Sequence, residues 1–398
     1  MTTRYSEIIF WAIQYFTFCL FIIGLYFVLD KRLKVFRIQL STHSHLNLYA
    51  QDALICLVLV LITGIRCNNG SDYYNYWVMY SEVTDWYSNI GDVLEEKFQN
   101  GYLLLCYVTK ALGGGKYSIF WVVSVLIYFS TIRLFRRYSC SPVLSFACWV
   151  LFGYLAMSTN IIKQSLAMTC ILWAFFCLER KRYVQFCCLS LLGCMFHISM
   201  VCVVFIMLFF RWLHPSITFY KIIMVVSIAM YILITPLLEQ VSQFLPVHYA
   251  VYTQAYLDDS MNDIKLQIGG IVVAIFYIII LWDITKKHNA TKSVSRINNH
   301  LLMISLLCIP FLIIGIKFYL CNRVAYSGLQ FLTVLLPSYY SFTRQKHMSF
   351  ISFKKYIMVL VFSVLFTILC AENNHYQYST ILNDKPMSVY DFSIRRHQ

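Results

Sequence analysis

The stretch LICLVLVLITGIRCNNGSDYYNYW (residues 54–77) decides the fold. Its first half carries no charge and extends back to residue 49, which brings it close to the length of a membrane-crossing helix. Its second half turns polar at once: Arg66, an Asn-Asn-Gly-Ser turn, Asp72 and three tyrosines. An apolar span that ends in a cluster of groups able to bind anions and sugars indicates a membrane protein with a site at one face.

The rest of the chain agrees. Of 398 residues, 60% are hydrophobic and only 13% charged, more apolar surface than a soluble domain of this length can hide. The first apolar run lacks a basic leader and is followed by KRLKVFR, so it is expected to be a retained span and not a cleaved signal. The net charge of +14 is accounted for by basic residues beside spans, and no nucleic-acid partner is expected. Fifteen cysteines without a CxxC pair point to packing, with neither a disulfide framework nor a metal site.

Candidate spans fall at about 8–29, 49–65, 117–135, 142–158, 161–178, 219–238, 266–285, 300–316, 323–342 and 356–371. Basic clusters at 31–37, 133–137, 179–182, 286–296 and 344–355 mark the cytoplasmic side. The run 183–210 has cytoplasmic flanks at both ends, so it is predicted to be a hairpin of two short crossings that turns near Phe196-His197. The expected fold is therefore an all-α polytopic membrane protein of 11–12 transmembrane helices, 1–398 forming one integral membrane domain with both termini outside. Cytoplasmic segments then hold 20 Lys+Arg against 4 Asp+Glu, and external segments 12 against 14. External loops are expected at about 66–116 and 239–265, with an external tail at 372–398. GYLLLCYVTKAL (101–112) is too short to span and is closed by GGGK, as in a re-entrant or interfacial helix.

An ionisable group at span level costs about 2.5–3.5 kcal/mol, so each needs a partner, an aqueous cavity or a function. Four places qualify, all at the external half of the bilayer. In the first, Asn69-Gly70 favours a turn that folds Asp72 back toward Arg66, and Asp72 and Tyr76 share a face if a helix follows. The alternative is an interfacial ion pair in an aromatic belt. In the second, Asn160, Lys163, Gln164 and Ala167 fall on one helical stripe, although a lysine there could also snorkel outward. The third is His197 at the hairpin turn, either a structural hydrogen-bonder or a general base. The fourth is Arg323 with Tyr326 one turn on, after Lys317, with interfacial anchoring as the alternative. Together these residues describe a cationic, tyrosine-lined cavity. Arginine matches phosphate oxygens with paired donors, and tyrosines suit sugar CH faces.

The order R-x3-G-x-D-x3-Y (Arg66, Gly70, Asp72, Tyr76), then Lys163-Gln164, Phe196-His197 and Arg323 with Tyr326, resembles the EpsG-like group of Wzy-type O-antigen and exopolysaccharide polymerases over about residues 50–340. The resemblance implies a GT-C-like polymerase of the bacterial inner membrane, without metal or other cofactor, whose active site faces the periplasm. Its donor and acceptor would be undecaprenyl-pyrophosphate-linked oligosaccharides within membrane lipid, with a separate chain-length regulator as a protein partner. Carried over by position, Arg66, Lys163 and Arg323 would neutralise the departing pyrophosphate, and His197 or Asp72 would take the acceptor proton. Gly70 would provide the turn, and Tyr76, Asn160, Gln164 and Tyr326 would position sugar or phosphate. Lys163 stands where the family usually has arginine, which leaves charge without bidentate geometry. The rival expectations are an O-antigen ligase with the same donor, a lipid-linked oligosaccharide flippase or transporter, and a membrane acyltransferase.

Overall fold

The computed structural model describes residues 2–32, 37–39, 47–67, 72–83, 100–209, 213–241, 264–290, 295–340, 359, 361–364 and 379–380. The protein is an all-α polytopic membrane protein, as its sequence predicts. Among the described residues, six helices are long and apolar enough to cross a membrane, or seven if one bent pair counts as a single span. Three shorter apolar helices accompany them. The loop 239–265 lies almost wholly outside the described residues, as do the tail 372–398 apart from 379–380, most of the span at 356–371, and Gly70.

In chain order the long elements are α1 (Thr2–Arg32), the short antiparallel strands β1 (Arg37–Gln39) and β2 (Asn47–Tyr49), α2 (Ala50–Gly64), β3 (Arg66–Cys67) and α3 (Tyr73–Glu82). Next come α4 (Gly101–Ala111), α5 (Ser118–Tyr138), α6 (Pro142–Leu151), α7 (Tyr154–Asn160), α8 (Ile162–Glu179), α9 (Tyr183–Phe196) and α10 (Met200–Phe209). The remainder are α11 (Ile217–Val241), α12 (Ile264–Ala290), α13 (Arg296–Leu307), α14 (Ile309–Ile314), α15 (Leu320–Leu329), α16 (Leu332–Tyr340) and β4 (Ser379–Thr380). Three of the predicted spans are not continuous helices. Residues 142–158 bend by 61° between α6 and α7, where Gly153 takes a positive φ of 85°. Residues 300–316 carry a turn at Cys308, between α13 and α14, with Pro310 opening the second piece, and Arg296–Ile314 together make one of the six crossing-length helices. Residues 323–342 divide between α15 and α16.

The chain forms two compact units. One comprises Met1–Ile132, Leu155–Ser165 and Thr367–Gln398, the other Arg133–Tyr154 and Leu166–Phe366. In the first unit, buried hydroxyls tie neighbouring helices, as expected where apolar contact alone gives little preference over lipid. Tyr26 donates to Asp52 Oδ1 at 2.7 Å, which satisfies a carboxylate buried in the first turn of α2. Thr63 donates to Ser124 Oγ at 2.8 Å, and Tyr128 shares a hydrogen bond of 2.9 Å with Ser158. In the second unit aromatic packing dominates: Tyr138 stacks on Phe176 and Phe276 on Phe362, each at 3.6 Å between ring centres. The described cysteines are free thiols, most of them buried or half-buried.

Candidate functional site

The predicted residues gather into two groups, one in each unit. The first is built around α3. Arg66 sits in β3, where its backbone pairs with Thr380 of β4, and its side chain is only 1% exposed. Its guanidinium carbon lies 5.3 Å from the centre of the Phe120 ring. Tyr73 stacks on that same ring at 4.4 Å, and its hydroxyl donates to the Arg66 carbonyl at 3.2 Å. Phe120 thus sets the depth of both residues.

Asp72 is the residue at which α3 begins. Its carbonyl accepts from the Tyr76 N–H at 3.1 Å, and its own N–H donates to Asn160 Oδ1 at 3.3 Å. Asp72 and Tyr76 therefore share a face, as their spacing predicts. Tyr76 is buried and lies 5.3 Å from the Tyr102 ring, and the Tyr102 hydroxyl donates to the Tyr76 carbonyl at 3.3 Å. The Lys163 ammonium lies 5.7 Å from the Tyr76 ring centre and 5.5 Å from that of Tyr102. The lysine is therefore held on two aromatic faces, a pre-positioned cation. The predicted stripe of Asn160, Lys163, Gln164 and Ala167 is not one continuous helix, because Ile161 separates the end of α7 from the start of α8. Asn160 and Gln164 are nevertheless buried.

The second group lies at the break between α9 and α10. That break falls where the sequence predicts it: α9 ends at Phe196, and His197 leaves the helix with φ −155° and ψ 118°. His197 is 6% exposed. Its Nε2 lies 3.4 Å from Arg323 Nη1, and its Nδ1 lies 2.8 Å from the Ser199 hydroxyl. Arginine and a backbone N–H can only donate, so Arg323 at Nε2 and the Ser199 N–H at Nδ1, 3.3 Å away, set competing demands on the single proton of a neutral imidazole. Arg323 comes from α15, which is fixed at its start by Asn322 donating to the Gly315 carbonyl at 3.0 Å. A Cβ at Gly315 would collide with the Asn322 side chain, so glycine is required for this approach. Tyr326 accepts at its carbonyl from the Tyr154 hydroxyl at 3.1 Å.

Sequence reasoning missed Tyr73, Tyr102, Phe120 and Ser199. Tyr73 and Ser199 lie within or next to quoted motifs, and a hydroxyl two residues after a histidine is a usable signal. Tyr102 and Phe120 act through tertiary placement and leave no local mark. Among the described residues, no three His, Cys, Asp or Glu side chains gather to hold a metal ion.

Every predicted site residue lies within residues 49–380, and that segment matches the profile of the EpsG family. The chain belongs to the EpsG family. This is a Wzy-like, polymerase-type family, so the EpsG-family protein described here is a polysaccharide-polymerase-like membrane protein. No curated protein and no solved structure matches the chain.

Proposed function

We propose that this EpsG-family protein is a polysaccharide polymerase that acts at the external face of the bacterial inner membrane. It transfers a glycan from undecaprenyl pyrophosphate to the non-reducing end of a second lipid-linked repeat unit. The acceptor hydroxyl oxygen bonds to the donor's anomeric carbon, the bond from that carbon to the pyrophosphate oxygen breaks, and the hydroxyl proton passes to a base. No nucleotide is needed, because the donor carries its own leaving group.

The observation that carries this reading is the His197–Arg323 pair. Two residues 126 positions apart place an imidazole nitrogen beside a guanidinium at a helix break. In this reading Arg323 turns its guanidinium to the leaving phosphate, which releases the Nε2 lone pair to take the acceptor hydroxyl's proton. The first group has a related chemistry of its own. Arg66 and Lys163 supply positive charge, Asp72 is a second candidate base, and Tyr76 and Tyr102 provide ring faces suited to sugars. The pairing of Arg66 with Thr380 supports the topology, since both were assigned to the external side.

The test is a gel of surface polysaccharide from cells lacking the gene, complemented with wild type or Arg66→Ala. A single repeat unit on lipid core in the null strain, a ladder restored by wild type and no ladder with Arg66→Ala are expected. Bare core with accumulated lipid-linked polymer in the null strain would instead identify a ligase.

A further inference from the structure

Two crossing helices, α5 and α8, end side by side at Tyr138 and Glu179, at the opposite end of α9 from His197. Tyr138 stacks on Phe176 at 3.6 Å, and the Trp173 ring meets it edge-on at 6.1 Å. Phe176 occupies one face of the Tyr138 ring. Two guanidinium groups crowd what remains, with the carbon of Arg180 5.0 Å from the ring centre and that of Arg137 at 5.5 Å. Arg137, Arg180, Lys181 and Arg182 are all exposed. Glu179 is the only acidic residue from 133 to 238, and it is committed elsewhere. Its carboxylate is turned to α13, where Oε1 accepts from His300 Nδ1 at 2.8 Å and Oε2 lies 3.8 Å from Arg296 Nε, with 4% of the side chain exposed. Among the described residues, none of the four cations pairs with a carboxylate.

The backbone supplies a second observation. At the end of α8 the Lys181 N–H donates to the Leu178 carbonyl at 3.0 Å and the Arg182 N–H to the Cys177 carbonyl at 2.9 Å. This closing turn requires a left-handed residue, a position that glycine usually fills. Here Lys181 fills it, with φ 60°, the only positive φ outside glycine among the described residues. A side chain is strained in that conformation and glycine is not. The helix dipole favours a cation near a C-terminus, but Arg180 already provides one. The strain at Lys181 therefore marks a position where charge is needed. Like charges gathered at one span end repel, and an anion seated among them removes that repulsion. Depth decides its kind: the ends of crossing helices lie at headgroup level, where tyrosine and tryptophan rings also gather. On the proposed sidedness this is the cytoplasmic leaflet, whose surface is anionic.

We propose that Arg137, Arg180, Lys181 and Arg182 form a binding site for the headgroup of an anionic phospholipid, which ties the end of α5 to the α8–α9 turn. The site goes beyond the polymerase reading and does not depend on it. The purified full chain in neutral detergent is titrated with phosphatidylglycerol and, in parallel, with phosphatidylcholine, and the first lipid adduct is followed by native mass spectrometry. Phosphatidylglycerol is expected to bind about tenfold more tightly, since phosphatidylcholine carries no net charge. Arg137→Gln, Arg180→Gln and Arg182→Gln should each weaken phosphatidylglycerol about fivefold, the contribution of one basic residue at a charged lipid surface, and leave phosphatidylcholine unchanged. Lys181→Gly should weaken it as much while keeping or raising the thermal midpoint in detergent, because glycine relieves the backbone. Lys286→Gln, exposed on α12 in a different basic segment, should change nothing. Thermal midpoints confirm that the arginine variants are folded, and Lys181→Gly decides the matter if one of them is not. Equal affinity for the two lipids, or an unchanged affinity in Lys181→Gly, overturns the proposal. A loss in Lys286→Gln as large as in Arg180→Gln also overturns it, by showing a diffuse field instead of a site. Displacement of the lipid by equimolar glycerol 3-phosphate does so too, by assigning the cations to a soluble phosphate ester.

Discussion

Lys163 has its charge fixed between two tyrosine rings, and that placement sets what a substitution there does. A guanidinium also lies well on aromatic faces and adds paired donors, whereas glutamine keeps the length and loses the charge. Lys163→Arg is expected to preserve the polysaccharide ladder, and Lys163→Gln to reduce chain extension by about 10²-fold, the loss typical of one electrostatic contact to a developing charge. An inactive Lys163→Arg would show that the ammonium's shape matters more than its sign. Ser199 acts at one remove, through the imidazole. Its hydroxyl lies 2.8 Å from Nδ1 while Nε2 faces Arg323, so it orients the ring. Ser199→Ala should lower turnover by about 10-fold with KM unchanged, as for loss of a hydrogen bond that orients a functional histidine, and Ser199→Thr should restore it. Wild-type turnover in Ser199→Ala, measured on purified protein with lipid-linked repeat unit, would remove Ser199 from the mechanism.

At the scale of elements, two glycines in apolar helical surroundings differ for a physical reason. Gly315 lies where the Asn322 side chain closes on the backbone, whereas a Cβ at Gly24 in α1 meets nothing within 4 Å. Gly315→Ala should therefore disturb the start of α15 that carries Arg323, at a cost of about 1–3 kcal/mol, the range for overpacking. Gly24→Ala should be neutral or stabilising by up to about 1 kcal/mol, from helix propensity alone. The check is the thermal midpoint of each purified variant, and an equal midpoint for the two would refute the steric account. The same contrast explains what was legible in the sequence. The α9–α10 break was readable because a run of 28 residues with basic flanks at both ends has to fold back on itself. The start of α3 was readable because Asn-Gly-Ser-Asp is local turn chemistry. The division at Ile161 was not, since that residue signals no break, whereas Pro310 is a local signal for the division at Cys308. Tyr102 and Phe120 were hidden for the same reason: an aromatic residue in an apolar helix looks alike whether it faces lipid or holds a cation.

For the whole molecule, the decisive property is the sidedness of the chain, because the proposed reaction, with a pyrophosphate-linked donor presented outside, requires the site to be outside. The pairing of β3 with β4 bears directly on this. Arg66 and Thr380 are hydrogen-bonded neighbours, so the chain between them must return to the face it left and cross the membrane an even number of times. The parity count from basic clusters requires the same, and it holds only if α9 and α10 are separate short crossings. A break at His197 is what permits two crossings in so short a run, which makes the histidine's position and the topology one problem. A membrane-impermeant thiol reagent applied to intact spheroplasts should therefore label cysteines placed at Asn69 and Asn383 equally, above the background of the parent chain. A cysteine at Ser293, in the basic segment after α12, should react only after permeabilisation. Labelling at Asn69 without Asn383 would break the even count and dissolve the case for a hairpin at His197. Labelling at Ser293 alone would turn the protein over and place Arg66 and Lys163 on the cytoplasmic side, which would overturn the proposed reaction at an external site.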